Sequence, residues 1–129
     1  MPVDGDTYDV PEIIAVAAAR RKAEGKPDPK FGHREKFGTR EQHVEYSAIT
    51  HVAKGRGIPP FLLLHVADHP DVTAQAQRLG NALKEAGVTT TVFGALNTNH
   101  TNSNANLGVE GDPSTKALWE FVDACLKKE

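Results

Sequence analysis

Two short stretches set side chains able to do acid–base chemistry close together. The first is His65-Val-Ala-Asp68-His69-Pro-Asp71, two imidazoles and two carboxylates within seven residues. The second is Asn97-Thr-Asn-His100-Thr-Asn, with one histidine in an asparagine-rich run. A carboxylate that orients an imidazole makes an acid–base pair, in which the imidazole takes and returns a proton. Imidazole and carboxylate also suit zinc. The spacing of His65, Asp68, His69 and Asp71 matches no zinc motif on a helix face, so no metal site is expected. No cofactor-binding motif is present either.

The elements that must position these groups lie in the second half of the chain. Ile58-Pro-Pro-Phe61-Leu-Leu-Leu64-His65 opens on two prolines and becomes continuously apolar, the pattern of a strand buried on both faces in a parallel sheet. Asp71 to Ala86 reads as a helix, with Val72, Ala76, Leu79, Leu83 and Ala86 at alternating steps of four and three and Gly87 at its stop. Val88 to Phe93 is β-branched and strand-like. Asn97 to Gly111 reads as a polar loop, and Asp112-Pro113 opens a last helix with Leu118, Phe121, Val122, Cys125 and Leu126 along one face. A strand–helix–strand unit of this length makes a right-handed parallel pair. Both chemical stretches then leave the carboxyl ends of adjacent strands, where open α/β sheets gather ligands and catalytic groups.

Residues 1–57 are more polar and punctuated by glycine and proline, most heavily from Lys26 to Gly38. Pro11 to Glu24 is a helix candidate with Ile13, Ile14, Ala17 and Ala18 on one face. Thr39-Arg-Glu-Gln42 has capping-box spacing for a short helix running to about Tyr46. The expected organisation is a helical and loop segment over 1–57 and a strand–helix–strand–helix unit over 58–129, together one partial α/β domain.

Several runs resemble α/β-hydrolase esterases and lipases. Ser47 to His65 (SAITHVAKGRGIPPFLLLH) is similar to the approach to their penultimate strand, and Ala67-Asp68-His-Pro-Asp71 continues it. Further likeness lies in Gln75, Arg78-Leu79 and Ala86-Gly87-Val88, and in Asn97-Thr-Asn-His100 ahead of the final helix. Gly5-Asp-Thr-Tyr8-Asp9-Val-Pro11 resembles the segment past the strand that precedes a cap insertion. The resemblance covers nearly the whole chain but only the C-terminal half of that fold. It implies an esterase-type hydrolase of small carboxylic esters, with Asp68 as triad acid and His100 as base in the family order Ser, Asp, His. Asp71 is the rival acid, its plainer role being a helix N-cap, and a turn-forming role for Asp68 ahead of Pro70 stays open. His65 is expected to be a hydrogen-bonded structural histidine.

The departures from that family are as informative. Three serines occur, Ser47, Ser103 and Ser114, and none sits in the Gly-x-Ser-x-Gly setting of a nucleophile elbow. The single cysteine, Cys125, falls on the apolar face of the last helix and reads as buried packing. No glycine-rich oxyanion loop is present. The expectation is therefore an acid and a base without a nucleophile. One form of it is a chain completed by a separate N-terminal half; the other is a truncated, non-catalytic remnant that self-associates into a homo-oligomer.

Composition bounds the remainder. The 129 residues carry 15 basic and 17 acidic side chains, a formal charge of −2, which gives no electrostatic case for nucleic acid or an anionic membrane as partner. One cysteine allows no intrachain disulfide, and the acidic start MPVDGDTYDV is unlike the basic-then-apolar opening of a signal peptide. Both features point to a cytoplasmic chain. An open α/β sheet enzyme of this type needs ~200–250 residues, so the length reads as a deficit.

Overall fold

The structure is a computed structural model, and it describes residues 8–27 and 36–128. Five α-helices and a short 3-10 turn surround a two-stranded parallel sheet among these residues. The order is α1 (Val10–Ala23), α2 (Arg40–Glu45), the 3-10 turn (Ala48–His51), β1 (Phe61–Val66), α3 (Pro70–Glu85), β2 (Thr90–Ala95), α4 (His100–Ala105) and α5 (Pro113–Lys127). Much of Lys26 to Gly38 lies outside the described residues, as does the start of the segment quoted from Gly5.

The parallel pair is as expected from the sequence. Phe61 pairs with Thr90, Leu63 with Val92 and His65 with Gly94, and the pairing continues past β1 through Ala67 N–H to Ala95 O at 2.8 Å. The second strand lies two residues later than its β-branched run suggests, because Val88 N–H closes the end of α3 on Leu83 O instead of joining the sheet. Gly87, at φ 81°, supplies the left-handed residue that reverses the chain there.

One face of the sheet packs on α3. Leu63, Leu79 and Leu83 form its centre, and Val92, Phe61, Ile58, Val88, Tyr8, Ile49 and Val52 close around them. Full burial of each such leucine contributes about 1.5–3 kcal/mol. Helix and strand approach so closely at Gly80 that a Cβ there would sit 2.5 Å from Val92 Cγ2. The expected apolar positions of α3 are buried at Val72, Ala76, Leu79 and Leu83, while Ala86 is half-buried.

The other face differs from expectation. Leu62 and Leu64 are only half-buried, so β1 is not a strand enclosed on both sides. Helix α5 stands over this face beside β2 and leaves a groove of about 800 Å³, lined by Thr91, Phe93, Ala117, Phe121 and Cys125. Cys125 is thus a half-buried groove residue and not the packed interior group expected. Leu126 is 63% exposed although it continues the apolar face of α5. The apolar stripe of that helix exceeds what a two-stranded sheet can cover.

The first segment joins the same core through a buried polar clamp. Asp9 caps α1 by accepting from Glu12 N–H, so the helix starts one residue before Pro11. Its backbone N–H donates to Gln75 Oε1 at 2.7 Å, Gln75 Nε2 donates to Asp9 O at 3.1 Å, and Arg78 holds the Asp9 carboxylate at 2.8 Å. The carboxylate beside it raises the affinity of Arg78 for its proton. Ser47 Oγ accepts from Val10 N–H at 2.9 Å and donates to His43 O at 2.6 Å, which fixes α2 against the start of α1. The capping box at Thr39 and Gln42 forms as its spacing predicts.

Candidate functional site

The two exit loops meet at the carboxyl edge of the sheet. Asp68 Oδ2 accepts from Asn97 N–H at 3.2 Å, and Asn97 takes φ 55°, a left-handed turn conformation that asparagine tolerates better than most residues. The rings of His69 and His100 pack edge to face with centroids 5.4 Å apart. Parallel pairing of β1 and β2 is what brings these groups together across some thirty residues of chain. Asp68, His69 and His100 are all exposed.

Asp68 and His100 share the edge without forming a pair, since no hydrogen bond joins them among the described residues. The Asp68 carboxylate instead holds the backbone at the start of the loop that carries His100. The loop itself contains α4, capped by Asn99 through Asn102 N–H at 2.8 Å, where the sequence reading expected no regular structure. The missed signal was Asn99, a favoured N-cap type, ahead of six residues free of glycine and proline. His100 is the first residue of that helix.

Asp71 is not the helix N-cap considered for it. Residue 69 is the N-cap of α3 and Pro70 its first residue, so Asp71 lies within the first turn. Its Oδ1 accepts from Arg20 Nη2 at 2.6 Å, which ties α3 to the end of α1. That hydrogen bond holds the Asp71 carboxyl below its ordinary range, against the opposing effect of partial burial, and the Arg20 and His69 charges act in the same direction.

His65 is buried and structural, as expected. Its Nδ1 lies 3.2 Å from Thr73 Oγ1, and its ring edge covers Gly94, where an added Cβ would meet His65 Cε1 at 2.9 Å. Thr73 Oγ1 also lies within reach of Val66 O and Ala67 O, at 3.4 and 3.3 Å. Thr73 therefore braces the loop that presents Asp68, a role the sequence pattern did not flag.

The three serines offer no exposed nucleophile on a strand-to-helix turn. Ser47 is 1% exposed and both links of its hydroxyl go to backbone, while Ser114 is buried in the first turn of α5. Ser103 lies within α4, one turn after His100. No cluster of three or more metal-ligating side chains occurs among the described residues. No helix among them is long and apolar enough to cross a membrane.

No family model, no curated protein and no solved structure matches this chain.

Proposed function

We propose that the chain supplies the acid and base of a serine ester hydrolase of the α/β-hydrolase type, with the nucleophile and oxyanion hole contributed by another polypeptide. The observation that supports this reading is the meeting of the Asp68 and His100 loops at the carboxyl edge of two adjacent parallel strands, tied by the Asp68–Asn97 hydrogen bond. Asp68 is the favoured acid because Asp71 is engaged by Arg20. In the assembled site His100 takes the serine proton as Oγ attacks the ester carbonyl, then returns it to the leaving alcohol. Asp68 orients the imidazole and stabilises its charged form. Docking of the partner must turn the His100 ring from His69 toward Asp68.

Co-expression with a Gly-x-Ser-x-Gly polypeptide encoded beside this reading frame, followed by tributyrin hydrolysis, tests the proposal. Activity should need both chains and be lost in His100→Ala. Equal activity in that variant would refute the assignment.

A second reading rests on a different observation. Each strand has one sheet neighbour among the described residues, the groove under α5 is lined by Phe93, Ala117 and Phe121, and Leu126 of the same helix is 63% exposed. Self-association of a non-catalytic chain would cover such surfaces. A well-folded monomer at micromolar concentration in sedimentation would count against it.

A further inference from the structure

We infer that His69 and His100 form a two-imidazole clamp for a borderline divalent metal ion such as Zn²⁺, linking the β1 and β2 exit loops. Zinc binds imidazole nitrogen at ~2.0–2.1 Å, which puts each ring centre ~3.2 Å from the metal and two tetrahedrally disposed ring centres ~5.2 Å apart. The observed centroid separation is 5.4 Å, with the planes inclined at 63°. Rings packed face to face at van der Waals distance could not both aim a nitrogen at one point between them. The inclined pair is not stacked in this way, and rotation about the side-chain bonds of two exposed residues can turn a nitrogen of each toward a common point.

The surroundings fit such a site. Both rings stand at the open edge of the sheet, accessible to a hydrated ion. Each is anchored by backbone with little freedom: His69 as N-cap of α3, its N–H on Val66 O at 3.2 Å, and His100 as first residue of α4. Asp68, adjacent to His69 in the chain, adds negative charge, and Asp71 is paired with Arg20. With two protein ligands, water fills the remaining positions, so the site is exchangeable and unlike the closed four-ligand sites of structural zinc. Imidazole donors select zinc, nickel or copper over magnesium, which prefers oxygen. The cluster from His65 to Asp71 did not suggest this site, because its second ligand comes from the other loop.

The clamp does not rest on the proposed hydrolase role and excludes it while zinc is bound, since a triad base needs both His100 nitrogens, and its test needs no activity. Titration of the intact chain with ZnCl₂ in a calorimeter should show one ion per chain, while MgCl₂ gives no heat of binding. His69→Gln and His100→Gln should each weaken zinc binding at least tenfold, and His51→Gln, in the 3-10 turn with its Nε2 against Glu45 O, should leave it unchanged. In proton NMR of the unaltered chain, the His69 and His100 ring signals should shift together at substoichiometric zinc. A loss below tenfold in either variant, or a shift of only one of the two rings, would overturn the proposal. Both substitutions are at exposed positions, and unchanged circular dichroism of the metal-free variants verifies that folding is not at issue.

Discussion

Replacing Gln75 by methionine should cost about 2–4 kcal/mol of stability, even though no apolar contact and little volume is lost. The side chain is 1% exposed and spans two backbone atoms of Asp9. Asp9 O keeps its helical partner, Ile13 N–H at 3.2 Å, so removal of Gln75 Nε2 forfeits one hydrogen bond, worth about 1 kcal/mol. Asp9 N–H has no such second partner among the described residues and is left buried and unsatisfied, a penalty of about 1–3 kcal/mol. Urea unfolding followed by far-ultraviolet circular dichroism measures the difference. Native-state hydrogen exchange should localise it, with Asp9 and Val10 amides losing protection before those of β1. A variant within 0.5 kcal/mol of the parent would refute the reasoning, because the first segment would then not be seated on α3 by this clamp.

Three further outcomes are expected. Gly80→Ala should destabilise by about 1–3 kcal/mol in the same urea assay, since the new methyl meets Val92 Cγ2 at 2.5 Å, whereas an uncrowded helical glycine would gain up to about 1 kcal/mol from alanine. Thr73→Val should cost about 1 kcal/mol and release the Asp68 loop, seen as faster exchange of the Ala67 and His69 amides. The folded Asp71 carboxyl is held below its unfolded value, so its contribution is complete above the ordinary carboxylate range of ~3.9 and fades as pH falls through the lower folded value. Arg20→Gln should therefore lower the urea midpoint at pH 6 and make no difference once Asp71 is protonated in both states. Equal midpoints at pH 6 would remove Arg20 from the account.

The elements that position the candidate site were legible because local signals and tertiary packing agree in them. Two prolines before an apolar run, heptad-like spacing through α3 and the Asp112-Pro113 start of α5 each name a structure that no distant contact overrides. Boundaries were less legible: Pro70 opens α3 before Asp71, and Asp9 caps α1 before Pro11, because a proline is accommodated within the first turn and the cap falls one or two residues ahead of it. Burial was misjudged where cover depends on neighbours. Leu62, Leu64 and Cys125 are apolar enough for an interior, but the two-stranded sheet and α5 leave all three half-buried, with Cys125 lining a groove. The contacts that decide the site were not legible at all. Asp9 with Gln75, Asp71 with Arg20 and His69 with His100 join residues far apart in the chain, and only folding sets those pairs.

Hydrolysis of a natural ester by the proposed assembly bears most directly on the roles proposed for Asp68 and His100. With the chain and a Gly-x-Ser-x-Gly polypeptide of the proposed kind co-purified, tributyrin turnover should fall at least a thousandfold in His100→Ala and Asp68→Asn alike, while Asp71→Asn retains it. Turnover that survives the loss of His100, or that follows Asp71 instead of Asp68, would contradict the assignment.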